Sequence, residues 1–269
     1  MSVVENIAKK FVQARLAAGS LAEYPGTVPQ SISEAYSIQD AAIDMWPDEL
    51  AGWKVGRING ADIDRYGTDR LAGPIFKSQI HNQTVGVMET PVYAEGFSAV
   101  EGECVLIVSS DAEPSKTEYS TEDAIALVGS IHAGVEIASS PFSEINDHGP
   151  LVTISDFGNN HGLIIGDELP EWRSLEFNRW PFETTIDGLT VGTGDASGIP
   201  GGPIESLRFM LENAARRGMP SKKGMAISTG AVTGVHAASV GQKAVIRTRG
   251  ARDIDLRLSS VGKFVGTAA

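Results

Sequence analysis

The chain has 269 residues, an apolar content of 42% and a formal net charge of −12. That length buries a substantial core, and an acidic balance without a Lys/Arg cluster argues against a general nucleic-acid or anionic-membrane binder. The single cysteine, Cys104, excludes an intrachain disulfide, argues against a Cys/His zinc cluster and reads as a small core residue. The first residues lack a signal-like apolar block and no apolar run reaches membrane length, so a cytoplasmic protein is expected.

Taken in chain order, residues 4–18 place Ile7, Phe11, Val12 and Leu16 at helical spacing before Gly19. A connector rich in proline and glycine leads to a second helix capped by Ser31 or Ser33 and ended by Pro47. From Gly52 onward short strands and glycine turns take over, which predicts a helical N-terminal region, 1–50, followed by a larger unit, 51–269. Trp53-Lys54-Val55-Gly56 is extended, and 57–76 reads as a loop because it carries Asn59-Gly60, Tyr66-Gly67 and Gly73-Pro74. Strands are predicted near 84–88, 98–108 and 133–138, with a short helix from Thr121 to Gly129 capped by Thr121. A polar turn at 157–162 comes next, then a hairpin around Asp187-Gly188, a helix from Pro203 to Arg217, and strands at 225–229, 243–248 and 253–258.

Chemistry concentrates in the run from Val100 to Val108. In an extended chain Glu101 and Glu103 project from one face and Val100, Cys104 and Leu106 from the other. Glu136 interrupts a second apolar strand, and Gly134 and Ala138 leave room beside it. Carboxylates inside a fold call for a compensating cation, and Mg²⁺ or Mn²⁺ suits oxygen ligands. The alternative is that these acids form the wet face of an antiparallel strand.

The remaining motifs are weaker. Lys54 between apolar neighbours either reaches solvent or pairs with an acid. His132, His148 and His236 read as ordinary residues, whereas His161 lies in a glycine-bounded polar turn. Gly192-Thr193-Gly194 lacks the spacing of a dinucleotide-binding loop, and neither a Gly-x-Ser-x-Gly elbow nor a partner for Cys104 is present.

Several segments then form a series: Ala35-Tyr36-Ser37-Ile38-Gln39, Gly52-Trp53-Lys54-Val55-Gly56, Glu101-Gly102-Glu103, Val135-Glu136-Ile137, Asp156 with the turn to Gly166, Arg216-Arg217-Gly218-Met219-Pro220, and the run from Ser228 to Gly234. In this order they resemble the 2-keto-4-pentenoate hydratase and 4-oxalocrotonate decarboxylase family, within the fumarylacetoacetate hydrolase superfamily, over nearly the whole chain. Lys77 and Ser78 stand where family hydratases tend to carry an acidic pair, and Asp156-Phe157-Gly158-Asn159 replaces a turn that usually reads Asp-Asn-Ala-Ser.

The resemblance implies an α+β fold, a mixed β-roll of the superfamily's C-terminal-domain type with an N-terminal helical region, and assembly as a homo-oligomer or with a related pathway enzyme. It implies a divalent ion, Mg²⁺ or Mn²⁺, on Glu101, Glu103 and Glu136, and a small 2-oxo acid or its dienol as substrate, chelated so that an enolate is stabilised. Lys54 and Asp156 are expected in the chemistry, and Asn159, His161, Thr229 and Gly230 against the substrate. The leading expectation is hydration of a 2-hydroxy-2,4-dienoate in aromatic or related catabolism. Decarboxylation of a 4-oxalocrotonate-like diacid comes next, and acylpyruvate hydrolysis third for want of a His/Glu pair to activate water. A non-catalytic partner subunit is the alternative of a different class.

Overall fold

A computed structural model describes residues 1–174 and 177–264. The N-terminal part is helical, with α1 over Val3–Leu16 and α2 over Ile32–Met45. Ser2 and Glu5 form a capping box at the start of α1, and Ser31 caps α2, so each helix begins where a side-chain oxygen satisfies a free backbone N–H. Their apolar faces meet around Ile7, Phe11, Ile38 and Trp46, and this cluster extends without a break onto Phe76, Phe142 and Phe157 of the larger unit. Each such side chain contributes about 1.5–3 kcal/mol when fully withdrawn from water.

The rest is built on two sheets. Its strands and helices in order are β1 Leu50–Arg57, α3 Ala61–Tyr66, β2 Arg70–Phe76, β3 Ile80–Asn82, β4 Met88–Val92 and β5 Phe97–Val108. They continue with α4 Thr121–Ala126, β6 Val128–Ser140, α5 Pro150–Ser155, β7 Asn160–Glu168, β8 Phe182–Ile186 and β9 Leu189–Gly194. The last are α6 Gly202–Arg216, β10 Ala226–Ser228, β11 His236–Ala237, β12 Lys243–Thr248 and β13 Ile254–Ser260. One sheet runs β2-β1-β10-β5-β6-β7-β3 with β11 also on β5, and the other runs β4-β13-β12-β8-β9. Parallel pairs (β1 with β10, β3 with β7, β4 with β13) occur among antiparallel ones, so the architecture is the expected α+β mixed β-roll with helices ahead of it.

Three expectations change. Residues 57–76 are not a loop: they hold α3 and β2. Pro74 sits inside β2, which is tolerated because β2 is the edge of its sheet and a missing N–H there costs no ladder bond. The strand expected near 84–88 is the connection between β3 and β4, with only Met88 belonging to a strand. The short helix at 121–126 is capped by Ser120, one residue earlier than expected. No helix among the described residues is long and apolar enough to cross a membrane.

Candidate active site

The central pair of strands sets the acids. In the β5–β6 register Glu101 lies directly opposite Glu136, and Glu103 opposite Gly134. Glu101 is 5% exposed, and Glu103 and Glu136 are fully buried, so the wet-face reading of this strand does not hold. Both faces of β5 are covered. A methyl group on Gly102 would approach Thr184 Oγ1 to 3.1 Å and Ile246 Cγ2 to 3.2 Å, so the residue between the two glutamates packs closely against the second sheet.

Neighbouring strands complete the cluster. Lys54 on β1 places Nζ 3.2 Å from Glu136 Oε1, and both side chains are buried. Asn160 Nδ2 donates to the same oxygen at 3.1 Å. On the other flank Ser228 Oγ donates to Glu103 Oε2, which also accepts from the Gly230 amide at 3.0 Å. Glu103 Oε1 and Glu136 Oε2 are buried and accept no hydrogen bond.

One lysine does not balance three buried carboxylates. Burial and then repulsion from Glu136 push Glu101 up to about 8, against the pull of Lys54. Glu103 is raised well above the usual carboxylate range by burial, Glu136 and Glu101. Burial alone would lower the Lys54 ammonium, but the charges of Glu136, Glu101 and Glu103 outweigh it and raise its pKa. One carboxylate oxygen from each of Glu101, Glu103 and Glu136 can be chosen so that all lie within 4.8 Å of one another. Unpartnered oxygen donors in that arrangement fit a hard divalent cation, which would neutralise the excess charge and satisfy the orphan lone pairs.

Lys54, Glu101 and Asn159 line a cavity of about 570 Å³, together with Arg57, Asn59 and Asn146, a size typical of small-molecule sites. Asn159 is 3% exposed; its amide donates weakly to Asn146 Oδ1 at 3.5 Å and its own Oδ1 is unpartnered. It stands at the end of a strained turn, because Phe157, Gly158 and Asn159 have φ of 53°, 64° and 64°. Each non-glycine residue held in this region costs about 1–3 kcal/mol. A methyl group on Gly158 would come within 2.9 Å of Gly73 Cα and 3.2 Å of Lys54 Cδ, so this turn presses backbone-first onto β2 and the lysine stem.

The other expected residues lie elsewhere or serve differently. Asp156 is 1% exposed and does not line the cavity. Its oxygens are taken by Arg15, at 2.5 Å from Nε and 2.9 Å from Nη2, and by the Ser140 hydroxyl at 2.6 Å. It is therefore no free base; its charge is committed to an ion pair. His161 faces a second, smaller cavity of about 160 Å³ with Arg15 and Tyr93, apart from Lys54. Thr229 Oγ1 donates to the Cys104 carbonyl at 2.8 Å, and Gly230 serves Glu103 through its amide, so both build the wall behind the acids. Sequence reasoning missed Arg15, Asn160, Ser228 and Arg57. Asn160, inside the polar turn at 157–162, and Ser228, just ahead of Thr229 and Gly230, had a local signal; Arg15 and Arg57 had none.

No family model matches the chain. A 2-keto-4-pentenoate hydratase of Paraburkholderia phymatum is 21% identical over 234 residues, covering 85% of this chain and 87% of that protein. A protein of the same name from Burkholderia vietnamiensis matches to the same extent. Among solved structures, 4-oxalocrotonate decarboxylase from Pseudomonas putida G7, complexed with magnesium and adipate, superposes with a TM-score of 0.75 at 18% identity, over 95% of this chain and 97% of that one. Fumarylpyruvate hydrolase from Pseudomonas aeruginosa, in complex with Mn²⁺ and pyruvate, gives a TM-score of 0.57 at 14% identity, over 78% of this chain and 89% of that one.

Proposed function

We propose that the chain, similar over most of its length to 2-keto-4-pentenoate hydratases and in fold to 4-oxalocrotonate decarboxylase, is a member of that family within the fumarylacetoacetate hydrolase superfamily and a divalent-metal-dependent lyase of small 2-oxo acids or their dienols. The reading extends to hydration of a 2-hydroxy-2,4-dienoate to a 4-hydroxy-2-oxo acid. The observation that carries it is the buried triad Glu101, Glu103 and Glu136, which has two unpartnered oxygens and whose Glu101 lines the same cavity as Lys54.

Glu101, Glu103 and Glu136 would hold Mg²⁺ or Mn²⁺. When bound, such an ion supplies positive charge that favours the enolate of a 2-oxo acid. The chain's own groups do the rest. Lys54 Nζ, fixed by Glu136, carries a proton from the dienol 2-hydroxyl to the terminal carbon C5, and the proton released by the water that adds at C4 goes to C3. Asn159 Oδ1 accepts a hydrogen bond from the water that adds at C4, and the Gly158 turn against β2 fixes Asn159 at the cavity wall. Ser228 and the Gly230 amide keep Glu103 aimed inward.

A second reading, decarboxylation of a vinylogous 2-oxo diacid, is favoured by Arg57. This arginine lines the same cavity and makes no ion pair among the described residues, so it can receive a second carboxylate. The two readings separate in an ultraviolet assay of metal-depleted protein with 2-hydroxypenta-2,4-dienoate or 2-oxohex-3-enedioate, with and without Mg²⁺ or Mn²⁺. Metal-dependent loss of the dienol absorbance, absent in Glu103→Gln, supports hydration; turnover of the diacid alone supports decarboxylation. Silence on both substrates by a metal-binding protein would sink the lyase assignment for these acids.

A further inference from the structure

Building on the site just proposed, we propose that Arg15 is a positioning residue: helix α1 sets the turn from Asp156 to Asn160, and through it the orientation of Glu136 and Lys54. Arg15 is 2% exposed, and its guanidinium grips both ends of that turn. At one end it pairs with the Asp156 carboxylate at 2.5 and 2.9 Å and donates to the Asp156 carbonyl at 3.3 Å. At the other it donates to the Asn160 carbonyl at 3.0 Å, and Nη2 also reaches the Ser139 carbonyl on β6 at 3.2 Å. The Phe157 and Tyr93 rings enclose it, with centroids 5.0 and 5.6 Å away.

The run of left-handed residues lies between the two ends, and directly after it the Asn160 side chain donates to Glu136. A planar fork with five donors satisfies all these acceptors at once; an ammonium, a single point of charge, does not. Stability alone does not call for the arrangement. Helix α1 already holds to the fold through Ile7, Phe11 and Val12, and apolar residues commonly serve as well as a buried ion pair. The arrangement does hold a strained turn against the lysine stem and a cation-binding carboxylate.

The test is a titration of metal-depleted wild type, Arg15→Met, Arg15→Lys and Phe11→Leu with Mn²⁺, monitored by electron paramagnetic resonance, alongside far-ultraviolet circular dichroism and thermal unfolding. Phe11→Leu loosens the same helix and leaves every hydrogen bond between Arg15 and the turn in place. Loss of a partner that orients a ligand typically weakens metal affinity roughly 10–100-fold. The expected result is that Arg15→Met binds Mn²⁺ at least about tenfold more weakly, that Arg15→Lys falls between it and wild type, and that Phe11→Leu melts earlier but binds like wild type. Should Arg15→Met fail to fold, Arg15→Lys carries the comparison. Unchanged affinity in the folded Arg15 variants, or equal weakening in Phe11→Leu, overturns the positioning role and leaves the metal-site reading standing. Wild type that binds no Mn²⁺, or binds it no better than Glu103→Gln does, overturns both.

Discussion

Asn160 and Lys54 meet on one oxygen of Glu136, Oε1, at 3.1 and 3.2 Å. Because both partners take the same atom, the second oxygen stays buried and unpartnered.

Metal removal should therefore be visible as lost stability. A ligand held only by the folded state and present at 100 times its Kd contributes about 2.7 kcal/mol. Treating the purified protein with a chelator should lower its Tm, and Mg²⁺ or Mn²⁺ should restore it; Glu103→Gln should show neither change. A Tm indifferent to metal in the wild type would count against the cation site.

In the metal-free state the same substitution should have the opposite sign. Burial and like charges raise Glu103, so an isosteric amide relieves a desolvation cost. Metal-free Glu103→Gln is expected to be more stable than metal-free wild type by about 1–2 kcal/mol, read by urea denaturation. Equal or lower stability would show that the protonated acid already meets the cost.

Gly102→Ala should damage stability and site together. The added methyl meets Thr184 Oγ1 at 3.1 Å and Ile246 Cγ2 at 3.2 Å, where the two sheets touch. Overpacking of this kind costs about 1–3 kcal/mol. Denaturant titration should show that loss, and the Mn²⁺ affinity should fall as β5 shifts with its glutamates.

His161 should make the fold sensitive to acid. Burial, with the nearby Arg15 charge, lowers it from 6.5 to about 3, so the folded chain keeps a neutral imidazole. The unfolded chain takes up a proton below about 6.5, and stability is present above that pH and lost as pH falls toward about 3. The slope has a ceiling of about 1.4 kcal/mol per pH unit. His161→Gln should flatten the difference in urea midpoints between pH 7 and pH 5; an unchanged profile would remove His161 from the acid response.

Arg57→Gln should separate substrates by charge. If the arginine receives a distal carboxylate, KM for a 2-oxo diacid should rise about tenfold or more, a loss of roughly 1.5–3 kcal/mol for a hydrogen bond to a charged group. KM for a five-carbon monoacid should hardly move. Parallel changes in both would place Arg57 outside substrate recognition.

The acids were legible in the sequence because alternation within a strand is a local property. Val100 to Val108 shows both the strand and its two exceptional residues, and Glu136 repeats the pattern. Edge strand β2 was hidden by Gly73-Pro74, since the turn chemistry of that pair is the same whether or not a neighbouring strand supplies hydrogen bonds. Asp156 drew notice as an acid beside a polar turn, but its partner is Arg15, 141 residues earlier. In sequence Arg15 is a basic residue in the last turn of a helix, well suited to the macrodipole, and nothing nearby announces a buried ion pair. Long-range pairings of this kind leave no periodicity to read.

The pairing of Arg15 with Asp156 also orders events during synthesis. Helix α1 leaves the ribosome ahead of the strands, yet its guanidinium has no counter-charge until another 141 residues have been made, and Ser228 follows Glu103 by 125 residues. Contacts so far apart along the chain form late and slowly. Helix α2 covers Phe11 and Val12 soon after, but the guanidinium of Arg15 stays in water until Asp156 emerges, so the site's buried charge pairing is completed after the helical pair has formed.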